Sequence, residues 1–158
     1  LAFSPLRKQG QFLKLLQAGS SLEQHMIREP AQDGKGEPVE HSVKMFAYVH
    51  KKLTNLWERY GFAGMLEDAL RDYPDSQVLC CGISHGATLA QATALRLSIM
   101  YPHRTITAAT WNAYKWTDAN GSALVSDRLG ERMLPLVVSR GANWDSIAGM
   151  PYDLAPMS

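Results

Sequence analysis

Residues 77–101 constrain this chain more than any other stretch of it. Val78, Leu79, Cys80 and Cys81 form a short apolar run after the turn signal Tyr73-Pro74-Asp75-Ser76. That is how a strand buried on both faces reads. Gly82-Ile83-Ser84-His85-Gly86 follows with no spacer, and residues 87–100 then carry many helix formers, no Gly and no Pro, ahead of Pro102. A G-x-S-x-G pentapeptide between a predicted strand and a predicted helix places Ser84 on a sharp turn, pointing away from the sheet.

The residue types suit a nucleophile there. Gly82 and Gly86 lack Cβ atoms, so strand and helix can approach closely. The helix N-terminus supplies backbone N–H groups and a partial positive charge, which favour an oxyanion. The N–H of His85, directly after Ser84, is the candidate donor. By itself the pentapeptide also fits a glycine-bearing loop; the flanking strand and helix are what give it meaning.

Gly82-Ile83-Ser84-His85-Gly86-Ala87-Thr88-Leu89-Ala90-Gln91 resembles the G-H-S-L-G-G-A-L-A stretch of the class 3 (fungal-type) lipases, and Tyr73-Pro74 fits that family's Y-P lead-in. Asp145-Ser146-Ile147-Ala148-Gly149-Met150-Pro151 is similar to the family's D-P-V-P-x-L-P, whose Asp is the acidic triad member. The resemblance covers about residues 39–151 and implies an α/β-hydrolase fold, ester hydrolysis with Ser84 as nucleophile, and Asp145 as the residue orienting a histidine. Ile83, His85 and Ala87 stand where the family has His, Leu and Gly. No F-R-G-T-like strand lies upstream, and no histidine follows Asp145. The alternative is therefore a catalytically inactive lipase-like fold used as a structural or binding subunit.

The chain has 158 residues, 46% of them hydrophobic and 20% charged, with a formal net charge of +1. These values suit one globular domain with a real core and give no global field for nucleic acid or anionic membrane. No apolar run is long enough to span a bilayer. Residues 1–19 lack a signal-peptide layout, and the start at Leu1 rather than Met suggests a processed or incomplete product. Cys80 and Cys81 are adjacent, so on a strand they point to opposite faces and form neither a disulfide framework nor a zinc site. They read as small core residues of a reducing compartment. No cofactor and no metal are expected.

Residues 5–18 combine Leu6, Phe12, Leu13, Leu15 and Leu16 with Arg7, Lys8 and Lys14, a basic amphipathic stretch that ends at Gly19. Ser20 and Glu23 have capping-box spacing, and Leu22, Met26 and Ile27 can share a helix face, which predicts a helix over 21–28. The polar stretch 31–38 is the best boundary in the chain. The expected organisation is a helical N-terminal extension, 1–38, and an incomplete lipase-like core, 39–158. Within that core, Val43, Phe46, Val49, Leu53, Leu56, Trp57 and Tyr60 predict a helix over 39–60, on which His41 and His50 read as core or surface residues. A further helix is predicted over 62–73 with Met65, Leu66, Ala69 and Leu70 inward.

After the helix that follows Ser84, residues 105–111 read as a strand. Strand, helix, strand makes a parallel βαβ unit with a right-handed crossover. Trp111, Tyr114 and Trp116 follow at the carboxyl edge, where they can line an acyl pocket or cap the core. A short helix over 122–129 and a third strand over 134–138 complete the pattern. Ser84 and Asp145 would both lie past strand carboxyl ends, on one edge of the sheet. The fold class expected is α/β: a small parallel sheet with flanking helices, a partial α/β-hydrolase. The expected partners are an acyl ester or lipid substrate and other protein chains that cover an incomplete sheet.

Overall fold

The computed structural model describes residues 1–3, 21–31 and 36–136. Among the described residues, six strands and four helices follow one another: β1 (Ala2–Phe3), β2 (Leu22–Glu29), β3 (Val39–Phe46), α1 (Ala47–Glu58), α2 (Phe62–Asp72), β4 (Val78–Ile83), α3 (His85–Met100), β5 (Ile106–Trp111), α4 (Ala119–Leu129) and, after a 3-10 turn, β6 (Met133–Leu136). β1, β4, β5 and β6 form one parallel sheet in that order, while β2 and β3 pair antiparallel as a separate hairpin. The α/β class and the small parallel sheet with flanking helices are as expected.

α3 is the centre of the molecule. Its buried residues run through every turn, from His85 to Ile99, so it is a core helix rather than an amphipathic surface one. One side of it packs on β4 and β5, through Val78, Cys80, Ile106 and Ala108, all buried. The hairpin, α1 and α4 cover the rest. Cys80 is buried and Cys81 half-buried, both as free thiols.

The direction of winding decides which face is covered. The strands of the sheet ascend in sequence across it, so each crossover moves the same way. Right-handed crossovers that all move in one direction lie on one face of a sheet. The hairpin, α1, α2, α3 and α4 therefore gather on the face of Val78 and Cys80. The opposite face carries Leu79, Ile83, Leu134 and Leu136, each exposed.

Three segments depart from the sequence reading. Residues 22–29 are a strand, not the expected helix, and they pair with Val39–Phe46 from Leu22 opposite Phe46 to Glu29 opposite Val39. The inward residues of β2 are His25, Ile27 and Glu29. Two of these three are polar, so the apolar alternation that marks a strand is masked, and the spacing of Leu22, Met26 and Ile27 imitates a helix instead. Residues 39–46 are likewise a strand, with Val43 and Met45 inward, and the helix begins only at Ala47. No Gly or Pro marks that switch, so strand and helix merge into one apparent stripe. Finally, Ala2 and Phe3 belong to the sheet, opposite Cys81 and Gly82, rather than to a helical extension. Residues 5–18 lie outside the described residues.

The later elements follow local chemistry. In α2 the inward stripe is Phe62, Leu66 and Leu70, and Met65 is exposed. Asp118 caps α4, accepting from the Gly121 N–H at 2.9 Å. Arg104 donates to the Leu70 and Pro74 carbonyls at 3.0 and 2.6 Å, tying the end of α2 to the start of β5. Pro135 is tolerated because β6 is at the edge of the sheet that the described residues form.

The polar side chains beneath the hairpin are paired. Arg128 of α4 donates to both Glu29 oxygens, at 2.9 and 2.7 Å, and His41 Nε2 lies 2.6 Å from the same carboxylate. The Arg128 hydrogen bonds hold the Glu29 carboxyl below its usual range, against the opposing effect of burial. A depressed carboxyl stabilises the fold above its unfolded value and ceases to do so as pH falls through the folded one. Stability in urea is thus expected to drop on acidification below the ordinary carboxylate range. Glu29→Gln should flatten part of that acid limb and cost about 1–3 kcal/mol at neutral pH, because Arg128 loses one acceptor oxygen and its counter-charge. An acid limb of unchanged steepness in the variant would contradict this.

Candidate active site

Ser84 lies between the last residue of β4 and the first of α3, at the carboxyl edge of the sheet. Its backbone sits at φ 54°, ψ −124°, a region that non-glycine residues rarely enter. Such a conformation costs of the order of 1–3 kcal/mol and persists only where the surroundings impose it. Two backbone constraints do so here. The Ser84 N–H donates to the Trp111 carbonyl at 2.8 Å, which binds the turn to the end of β5. Gly82 lies against the first turn of α3, where a Cβ would come within 2.4 Å of the Gly86 carbonyl atoms. The Ser84 carbonyl accepts from the Thr88 N–H at 3.2 Å and so starts the helix. Its side chain makes no capping hydrogen bond to α3, and the residue is half-buried.

His85 follows as the first residue of α3. Its ring is buried between two tyrosines, stacked 13° from parallel on Tyr114 and edge-on to Tyr48 at 4.8 Å. Nδ1 is hydrogen-bonded to the Tyr114 hydroxyl at 2.8 Å, and Nε2 is buried without a partner among the described residues. Burial, with Lys52 nearby, lowers the His85 pKa to about 4. Burial also pushes the Tyr114 hydroxyl well above the ordinary tyrosine range. The imidazole beside Ser84 is thus neutral, and its hydrogen bond goes to Tyr114.

The other described histidines with partners are engaged elsewhere. His25 accepts from Arg96 at 3.2 Å, His41 meets Glu29, and His50 lies 3.6 Å from Glu23. Asp145 lies outside the described residues. The described chain does reach the Ser84 edge once more, since the Asn112 N–H donates to the Leu136 carbonyl at 2.8 Å.

The loop after β5 is held against α3 by side chains that the sequence reading passed over. Thr88 and Gln91 lie four and seven residues after Ser84, which puts all three along one helix face. The Tyr114 N–H donates to Thr88 Oγ1 at 3.3 Å. Gln91 donates to Thr110 Oγ1 at 2.9 Å and accepts from Trp116 Nε1 at 3.0 Å. Spacings of four and seven were the available signal. Trp116 is buried in the core, and with Tyr114, Gln91, Val125 and Leu136 it also lines an open cavity of ≈ 220 Å³. The aromatics after β5 therefore both cap the core and border a cavity. Among the described residues no group of His, Cys, Asp and Glu is placed to hold a metal, and no helix is long and apolar enough to cross a membrane.

Solved structures place this geometry in a partial lipase-like α/β-hydrolase fold. Lip2 lipase from Yarrowia lipolytica matches 72% of this chain with 40% of its own, at 15% identity and a TM-score of 0.53. A triacylglycerol lipase from Penicillium expansum matches 75% with 43% of its own, at 16% identity and a TM-score of 0.51. The native Rhizomucor miehei lipase propeptide complex matches 70% with 33% of its own, at 16% identity and a TM-score of 0.50. Identities this low speak to fold alone, and the chain spans well under half the length of these lipases. No protein-family model matches the sequence, and no curated protein matches it.

Two outcomes follow from the turn. Gly82→Ala should cost about 1–3 kcal/mol in urea unfolding, because the new Cβ meets backbone rather than a side chain that can yield. Gly64→Ala in α2, where a Cβ meets nothing within 4 Å, should be neutral or stabilising. Equal losses at the two sites would show that the close approach is not real. His85 should stay neutral in NMR titrations until pH nears about 4. A histidine of lowered pKa binds its proton more weakly folded than unfolded. Its effect is to reduce stability as pH falls from about 6.5 to about 4, with no further change below. A ring that titrates near 6.5 in the folded protein would contradict the buried placement.

Proposed function

We propose that this chain carries the nucleophile of a lipase-type serine hydrolase acting on acyl esters, on the turn known as a nucleophile elbow. Ser84 attacks the ester carbonyl, and the His85 backbone N–H, at the N-terminus of α3, donates to the oxyanion. Asp145 would orient a histidine that takes the Ser84 proton. The observation that carries the reading is the backbone of Ser84, at φ 54° between a parallel strand and a buried helix. Strand, strained serine, helix is the arrangement that exposes a hydroxyl at the top of an α/β-hydrolase sheet. The lipase-like fold supports it as analogy.

A second reading has its own observation. Among the described residues every histidine with a partner is turned to another group, and no histidine follows Asp145. That favours an inactive lipase-like fold serving as a subunit, with another chain extending the sheet at its edges.

A fluorophosphonate probe separates the two, since it labels a serine efficiently only where a base activates it. The hydrolase reading expects slow labelling of the chain alone, wholly lost in Ser84→Ala, and faster labelling when a partner supplies the histidine. No Ser84-dependent labelling under either condition selects the subunit reading. Fast labelling of the chain alone would mean that one of its own histidines reaches Ser84, and replacing His103, His50, His41 and His25 singly would identify it.

A further inference from the structure

The start of α4 brings together an Asn-Gly pair and the acid that caps the helix. Asn120-Gly121 is the one such pair in the chain. Asn120 is exposed in the first turn, and Gly121 is buried. The glycine is imposed by packing, because a Cβ there would run into Thr117 Oγ1 and Val43 Cγ1. An asparagine followed by glycine has a reaction of its own. With no side chain on the second residue to obstruct it, that residue's backbone nitrogen can close on the carboxamide carbon. In α4 this nitrogen is held, since the Gly121 N–H donates to Asp118 Oδ1 at 2.9 Å. The turn is anchored to β3 as well: the Asp118 N–H and the Thr117 hydroxyl donate to the Lys44 carbonyl at 3.1 and 2.7 Å.

We infer that Asn120 is a self-modification site, converted with water into aspartate and isoaspartate, and that the Asp118 cap gates it. The Gly121 nitrogen, its proton lost to solvent, attacks Asn120 Cγ. A C–N bond forms, the Cγ–Nδ2 bond breaks, and ammonia leaves a cyclic imide behind. Water then opens either carbonyl of the ring, and no oxidant or cofactor takes part. The cap opposes the first step twice. It engages the hydrogen of the attacking nitrogen, and it keeps the turn helical, so that the nitrogen is aimed at Asp118 rather than at the carboxamide. The reaction therefore proceeds from a frayed first turn. The two products differ in consequence. Aspartate puts a negative charge in the first turn, where the helix dipole favours it. Isoaspartate adds a main-chain carbon before Gly121, which then no longer fits against Thr117 and Val43, and α4 loosens from β3. Thr117 and Ser122 line the cavity that Trp116 borders, so its wall shifts with them. None of this requires Ser84 to be a nucleophile.

The experiment is incubation of the 158-residue chain at neutral pH, with deamidation of the peptide containing Asn120 followed by mass spectrometry. The folded chain is expected to react at least about ten-fold more slowly than the denatured chain. Asp118→Ala should accelerate the folded chain roughly five-fold, the factor by which loss of a cap raises fraying. Asp118→Asn keeps an oxygen acceptor and should stay near the native rate, and Asn120→Gln should remove the reaction. A folded chain that reacts at the denatured rate would overturn the inference. So would equal rates for Asp118→Ala and the unchanged chain, or no deamidation even in the denatured chain. Should Asp118→Ala unfold the protein, the unchanged chain in sub-denaturing urea decides instead. Deamidation that rises with hydrogen exchange of the Gly121 amide, ahead of the α3 amides, supports the gate, and deamidation that rises only with the α3 amides overturns it.

Discussion

A helix buried on all sides is possible only if its one charged side chain is accommodated, and in α3 that side chain is Arg96. Its guanidinium lies 4.3 Å from the centre of the Trp57 ring and donates to His25 Nε2 at 3.2 Å. The arrangement requires His25 to be neutral, because a protonated imidazole has no lone pair to offer. The site enforces this: burial, then Arg96, then His50, lower the His25 pKa to about 4. Burial in turn lowers the pKa of Arg96. One polar contact thus joins three elements. β2 supplies the acceptor, α1 the aromatic face, and α3 the cation. Glu29 repeats the device at the other end of β2, where it receives Arg128 of α4. The hairpin is held to the helices by these two cations as well as by Ile27, Val43 and Met45.

The same two polar residues explain what the sequence did and did not disclose. β4, α3 and β5 were legible because each is uniform in residue type over its length, and because Gly82, Gly86 and Pro102 mark their ends. The face of β2 toward the core is His25, Ile27, Glu29, so its strand period is written in partners that lie 71 and 99 residues away. Nothing local to 22–29 carries that information. The switch from β3 to α1 was hidden for a different reason. Phe46, at the junction, is extended at ψ 134° and its N–H is taken by the Trp116 carbonyl, a tertiary contact in place of a turn residue. Ser84 was legible as a position from glycine spacing between an apolar run and a run of helix formers. The clamp of Tyr114 and Gln91 on the loop after β5 was not, because its partners belong to different elements.

One-directional winding sets the site and the uncovered face together. All carboxyl ends of a parallel sheet lie on one edge, so Ser84, Trp111 and Leu136 converge there, and hydrogen bonds join them in sequence from Ser84 to Trp111 and from Asn112 to Leu136. The winding that gathers the helices behind this edge leaves the far face without a partner among the described residues. A chain that reversed direction once would cover both faces; lipase-like sheets of greater length have room to do so, and this chain spans well under half of theirs.

Ser84 itself poses the sharpest physical question. At φ 54° a glycine would hold the same turn without the steric cost that a Cβ brings. Gly82 and Gly86 show that this chain does place glycine where the turn is crowded. The serine side chain contributes nothing to the cap of α3. The strain is held instead by the Trp111 carbonyl, by the Gly82–Gly86 approach, and by the His85–Tyr114 pair that fixes the residue after it. Strain kept at a serine where glycine is cheaper is the observation from which a role for that hydroxyl is proposed. The proposal of a nucleophile at Ser84 rests on this argument more than on the pentapeptide, since the pentapeptide occurs in loops and the strained serine held by its surroundings does not arise from glycine content alone.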